Sequence, residues 1–88
     1  MFLVNLEPDV ILSFIETFKA THLSAIRLID DLASRTEFLF LSLEFANLKK
    51  RFRDQVTTMN RFEMGIGNIV NLNQNPYQEV RVLVHSLD

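Results

Sequence analysis

Apolar residues return along this chain at alternating intervals of four and three. Ile11, Ile15, Phe18, His22, Ala25, Ile29 and Leu32 form one such series, with His22 as its polar interruption. Phe38, Leu41, Phe45, Leu48, Phe52, Gln55, Met59 and Phe62 form a second, interrupted at Gln55. That rhythm keeps one stripe of an α-helix turned toward a neighbouring helix, so each series predicts a helix with a coiled-coil-like seam. Carrying the first series onward would put Thr36, Leu39, Leu43, Ala46 and Lys50 on the stripe. The two series are out of phase, and the chain must turn or change face between them.

Local signals set the boundaries. Pro8 lacks the amide that goes unpaired in a first helical turn, and its neighbours Glu7 and Asp9 favour the positive end of the helix dipole. In "SRTE", Ser34 and Glu37 stand at capping-box spacing and predict a new helix there. Gly65 or Gly67 supplies the left-handed residue that ends it, and the Asn-rich stretch beyond is turn-forming. The expected organisation is a single all-α domain over 1–88: helix 1 about 8–33, helix 2 about 35–64, a linker about 65–75 and a C-terminal element about 76–87. As a helix, that last element has Asn75 as cap, Pro76 in the first turn and Tyr77, Val80, Val84 and Leu87 at heptad spacing. As a strand, "VRVLV" could pair with "NIVNL"; the helix is the reading taken.

Folding the chain back near Arg35 as an antiparallel hairpin pairs Leu32 with Phe38, Ile29 with Leu41, Ala25 with Phe45, His22 with Leu48, Phe18 with Phe52, Ile15 with Gln55 and Ile11 with Met59, index pairs that each sum to 70. Ala25 then meets the large Phe45, as interdigitating cores prefer. The mirrored spacing shows compatibility only, and the lack of Gly or Pro between Ala33 and Glu37 also permits one continuous helix whose contacts form between chains.

Length changes the picture next. A chain of 88 residues buries only about 60–65% of its unfolded surface, which makes help from a partner subunit attractive. It has no cysteine, which removes disulfides and the commonest structural zinc sites and fits a cytoplasmic or other reducing compartment. "MFLVNLEPD" has no basic residue ahead of its apolar run and does not read as a signal peptide. Ser42, Glu44 and Lys49 interrupt the best apolar stretch well short of the roughly 20 residues a membrane span needs.

Little in the sequence suggests catalysis. No P-loop, nucleophile elbow, HExxH or EF-hand loop occurs. Asp30 and Asp31 are adjacent and so point to different sides of a helix. His22 has no Cys, Asp or second His at the spacing of a metal ligand and reads as a polar seam position, as does Gln55, together restricting register. No cofactor is expected. The formal net charge is −2, but Lys49, Lys50, Arg51 and Arg53 cluster in "KKRFR". They splay around Phe52 over half a helix, so a solvated, partly salt-bridged face is favoured over a phosphate-binding stripe.

The apolar excess is more informative. Beyond the seam, helix 2 still carries Leu39, Phe40 and Leu43, and helix 1 still carries Phe14, Leu23, Ile26 and Leu28. Burying even three such side chains is worth several kcal/mol at about 25 cal/mol per Å2, on the scale of a small domain's whole stability. The C-terminal element covers part of this surface; the remainder predicts a partner. The functional expectation is a non-catalytic interaction module, a small subunit, adaptor or chaperone-like partner. It would act as a homodimer or hetero-oligomer forming a four-helix bundle, with Leu23, Ile26, Leu39, Phe40 and Leu43 as contacts. The alternative is a nucleic-acid-binding regulator using Lys49, Lys50, Arg51 and Arg53.

Overall fold

A computed structural model of the chain describes residues 7–67 and 72–85. Three helices follow one another: α1 (Pro8–Ala33), α2 (Ser42–Glu63) and α3 (Pro76–His85), with a 3-10 segment (Thr36–Leu41) between the first two. α1 and α2 form an antiparallel hairpin, and α3 lies over its turn-proximal half, giving an elongated body of 46 × 21 × 18 Å. The fold is all-α, with no strand among the described residues. The stretch that was to pair as a strand with 80–84 includes 68–71, outside the described residues, and 80–84 itself is helical. No described helix is long and apolar enough to cross a membrane.

α1 starts as its sequence requires. Glu7 is extended at φ −60, ψ 147, Pro8 occupies the first helical position, and the Val10 and Ile11 amides donate to the Glu7 carbonyl at 3.0 and 3.1 Å. Its end corrects one expectation. Ser34 does not cap a new helix: its hydroxyl donates back to the Asp31 carbonyl at 2.7 Å, and its amide serves Asp30 and Asp31, both at 3.3 Å. A single extended residue, Arg35 at φ −86, ψ 135, then reverses the chain, and no side chain caps the 3-10 segment that follows. Helix 2 therefore does not begin at 35; its α-helical part begins at Ser42.

This longer turn moves the register. The α-helices stop at 33 and resume at 42, indices that sum to 75 where a turn at Arg35 would give 70. The His22 and Phe52 rings meet at 5.7 Å, a pair summing to 74, and Met59 packs with Ile15, again 74. On the flank, Lys19 donates to Asn60 at 3.1 Å and Lys49 pairs with Asp30, both summing to 79. The expected partners are displaced by about one helical turn, although the same seam residues are buried. Seam positions recur every 3.5 residues on average, so a shift of about one turn sets stripe against stripe again, meeting a seam residue directly at alternate positions such as Ile15, His22 and Ile29.

Two clusters make the core. Ala25, Ile26, Ile29, Leu41, Phe45, Leu48, Phe52 and Val80 form one, near the turn; Ile15, Phe18 and Met59 form the other. α3 joins the first through Val80, with Leu83 and Val84 beside it. Its N-terminus follows the expected chemistry: the Gln78 amide donates to Asn75 Oδ1 at 3.3 Å, and Pro76 is buried in the first turn. Leu87 lies outside the described residues.

α2 closes with a Schellman motif. The Ile66 amide reaches the Arg61 carbonyl at 2.8 Å and the Gly65 amide reaches Phe62 at 3.0 Å, which requires Gly65 at φ 79. A Cβ there would touch nothing within 4 Å, so only the left-handed backbone opposes a side chain. Gly65→Ala should therefore lower stability by about 1 kcal/mol, read as a reduced urea midpoint with an unchanged m-value.

Candidate partner-binding surface

The 3-10 segment determines what the turn end shows to water. At three residues per turn, positions 38 and 41 fall on one face and those between them point away. Leu41 is buried, and Phe38 packs edge-on against Phe45 at 6.4 Å and 81°. Leu39 and Phe40 are consequently turned outward, 57% and 64% exposed. Leu43, on the outer face of α2's first turn, is 70% exposed. The Ser42 hydroxyl donates to the Leu39 carbonyl and helps fix the junction. Three large apolar side chains within five residues thus form a patch at the tip of the hairpin. Glu37 and Glu44 border it, and neither forms an ion pair with a described residue.

Two other expected contact residues behave differently. Leu23 is half-exposed at 44%, but it lies near the middle of α1, away from the tip. Ile26 is not a surface residue: it is 8% exposed and belongs to the same core cluster as Leu48 and Val80. Ile26 lies beside the seam, one turn from His22 and three residues before Ile29, and Val80 of α3 belongs to the cluster that encloses it. Leu28 and Phe14 are half-buried, under α3 and beside Phe18 respectively.

Beside the patch runs a groove of about 510 Å3 between α2 and α3, lined by Glu44, Asn47, Leu48, Arg51, Gln78, Glu79, Val82 and Leu83. The recesses on the other sides of α3 hold about 250 and 240 Å3. Val82, 58% exposed, was not singled out from the sequence. The signal was present: Val82 and Leu83 are the apolar residues left over once Tyr77, Val80 and Val84 are assigned to the inner stripe of α3.

The basic run is partly consumed within the molecule. Lys49 pairs with Asp30 across the hairpin, and Arg51 pairs with Glu79 of α3 at 2.6 Å. Lys50 and Arg53, three residues apart, are exposed on one side of α2. Gln55, expected to oppose Ile15 in the seam, instead accepts the Asn73 amide at 3.2 Å, while Asn73's side chain donates to Glu79. Gln55 therefore ties the linker to the hairpin and positions α3.

His22 is fully buried, stacked on Phe18 at 4.1 Å and edge-on to Phe52. Its Nδ1 donates to the Phe18 carbonyl at 2.9 Å, and Nε2 has no hydrogen-bond partner. No group of three His, Cys, Asp or Glu among the described residues is placed to hold a metal ion. A buried acceptor without a partner destabilises, typically by about 1–3 kcal/mol. Replacing His22 by Leu, of similar volume, should raise the urea midpoint by the equivalent of about 1 kcal/mol without loss of helical circular dichroism.

Comparison with family models, with curated proteins and with solved structures finds no match to this chain, so the functional reading rests on its own residues.

Proposed function

We propose that this protein is a non-catalytic association module, a small helical subunit, adaptor or chaperone-like partner that binds another protein through the tip of its hairpin. The observation carrying this reading is the exposure of Leu39, Phe40 and Leu43, at 57%, 64% and 70%, next to each other and outside the chain's own core. Leaving them in water forgoes several kcal/mol of burial at about 25 cal/mol per Å2, an amount comparable with the stability of a domain this small. Contiguous apolar surface of this kind, rimmed by polar groups, marks interaction sites. Leu23 stands outside this patch, and Ile26 has left the set because the core already holds it.

The nucleic-acid reading is weaker on the same grounds. Phosphate binding needs several uncompensated bases facing one groove. Here Lys49 and Arg51 are engaged by Asp30 and Glu79, which leaves Lys50 and Arg53 as the two exposed bases of the run without an ion pair among the described residues, few for a phosphate-tracking groove.

A photo-crosslinking residue placed at Phe40 should yield a protein-sized adduct in the cells that make this protein, whereas the same residue at exposed Arg27 should not. No adduct at Phe40, together with a strictly monomeric chain by light scattering, would defeat the reading. Duplex DNA and RNA should show no mobility shift at micromolar protein and physiological salt. A steeply salt-dependent shift abolished by Lys50→Glu and Arg53→Glu would restore the alternative.

A further inference from the structure

The tip patch is too small to hold a partner by itself. A stable interface buries about 800 Å2 on each side, and three apolar side chains, at no more than about 150–250 Å2 each for the largest type, fall short of that. The surface must extend, and the groove between α2 and α3 offers the extension. Glu44 stands four residues after Phe40 and Asn47 four after Leu43, so patch and groove wall follow one another along the same side of the chain. From Leu39 through the groove to Arg51 the surface runs roughly 20 Å, at about 2.0 Å per 3-10 residue and 1.5 Å per α residue. That is the length of a helix of about 13 residues.

Charge selects among occupants. Within the groove Arg51 is engaged by Glu79 at 2.6 Å, which leaves Glu44, with Glu37 at the rim of the patch, as the uncompensated charges. A second copy related by a two-fold axis would present the same patch, whose uncompensated charges are both acidic, and so would offer Glu44 and Glu37 no basic counterpart. A basic partner supplies that counterpart.

Resting on the reading of the chain as an association module, we infer that the α2–α3 groove and the tip patch together receive one amphipathic helix of a different protein. That helix has an apolar stripe to lie over Leu43, Leu48, Val82 and Leu83, and lysine or arginine along the edge that meets Glu44 and Glu37. It stands as the fourth helix of a bundle whose other three are α1, α2 and α3. α3, only ten residues long, covers the hairpin's turn-proximal half and forms one wall of the site.

Two synthetic helical peptides of about 14 residues test this, sharing one leucine stripe and differing only in flanks of lysine or of glutamate. Each is titrated into the isotope-labelled full chain. The lysine peptide should shift the amides of Glu44, Asn47, Val82 and Leu83 and bind about fivefold or more tightly than the glutamate peptide, with Glu44→Lys cancelling the preference. Val82→Glu, at an exposed position, should abolish those shifts without unfolding the chain. Equal affinity for both peptides, shifts confined to other surfaces, or no binding would overturn the inference. So would a Leu43-dependent dimer showing the same shifts as protein concentration rises, because the occupant would then be a second copy. A crosslink at Phe40 with no response to either peptide sinks the groove inference alone, whereas absence of both sinks the association reading as well.

Discussion

The periodicity of the six residues from Thr36 to Leu41 governs the rest of the molecule. Had the α-helix resumed directly after Arg35, facing indices would have centred on 70. The extended Arg35 and the tighter 3-10 winding push the restart to Ser42 and the pairing to about 74. Three residues per turn put Phe38 and Leu41 inward together and force Leu39 and Phe40 outward. The same local geometry thus determines which residues meet in the core and why the tip is greasy. It also explains how one segment serves both core and surface: its inner face anchors the turn through Phe45, and its outer face is surplus to folding.

α3 is subordinate to that hairpin. A helix of ten residues is too short to be stable by itself in water. Its order comes from Val80 in the core, from Pro76 buried in the first turn, and from a relay of polar contacts in which Gln55 holds the Asn73 backbone, Asn73 holds Glu79, and Glu79 holds Arg51. Tyr77 adds a bond to Ser24 of α1. The ion pairs are partly exposed, and pairs of that kind contribute about 0–1 kcal/mol. Apolar burial therefore supplies most of the attachment, and the polar relay fixes where along the hairpin it occurs. The side of α3 that carries Gln78, Glu79, Val82 and Leu83 does not close onto α2, and the groove lies between them.

The sequence showed a good deal of this, and its failures have physical causes. Helical periodicity located both long helices, the cap at Asn75 identified α3, and glycine at the end of α2 fitted a left-handed terminus. Register was not legible, because a 3-4 stripe tolerates a shift of one turn without exposing a seam residue, and nothing in "SRTEFLFL" distinguishes 3-10 from α winding. Ser34 and Glu37 had capping-box spacing, yet Ser34 keeps a helical backbone at the end of α1, φ −79, ψ −10, with its hydroxyl donating back to Asp31, and so lacks the extended conformation of an N-cap. Of the expected contact residues, Leu39, Phe40 and Leu43 are exposed because they lie off the second seam, whereas Ile26, also off its seam, lies in a core cluster with Val80 of α3. Gln55 was read as a seam residue because its partner, Asn73, lies 18 positions away in a linker without periodicity.

His22 illustrates the balance the fold strikes. An imidazole enclosed by Phe18 and Phe52, with one nitrogen bonded to a carbonyl and the other without a partner, lowers stability relative to leucine at the same place. It also discriminates: moving the seam by a further turn would set the ring against a different neighbour and could not keep the edge-on contact with Phe52. In a chain whose apolar stripes are permissive about register, one polar residue with a defined orientation is a device that penalises alternatives, as buried polar positions do in coiled coils. Stability given up there is affordable only if it is recovered elsewhere. Under the association proposed above, the source is the apolar surface buried at the tip and along the groove.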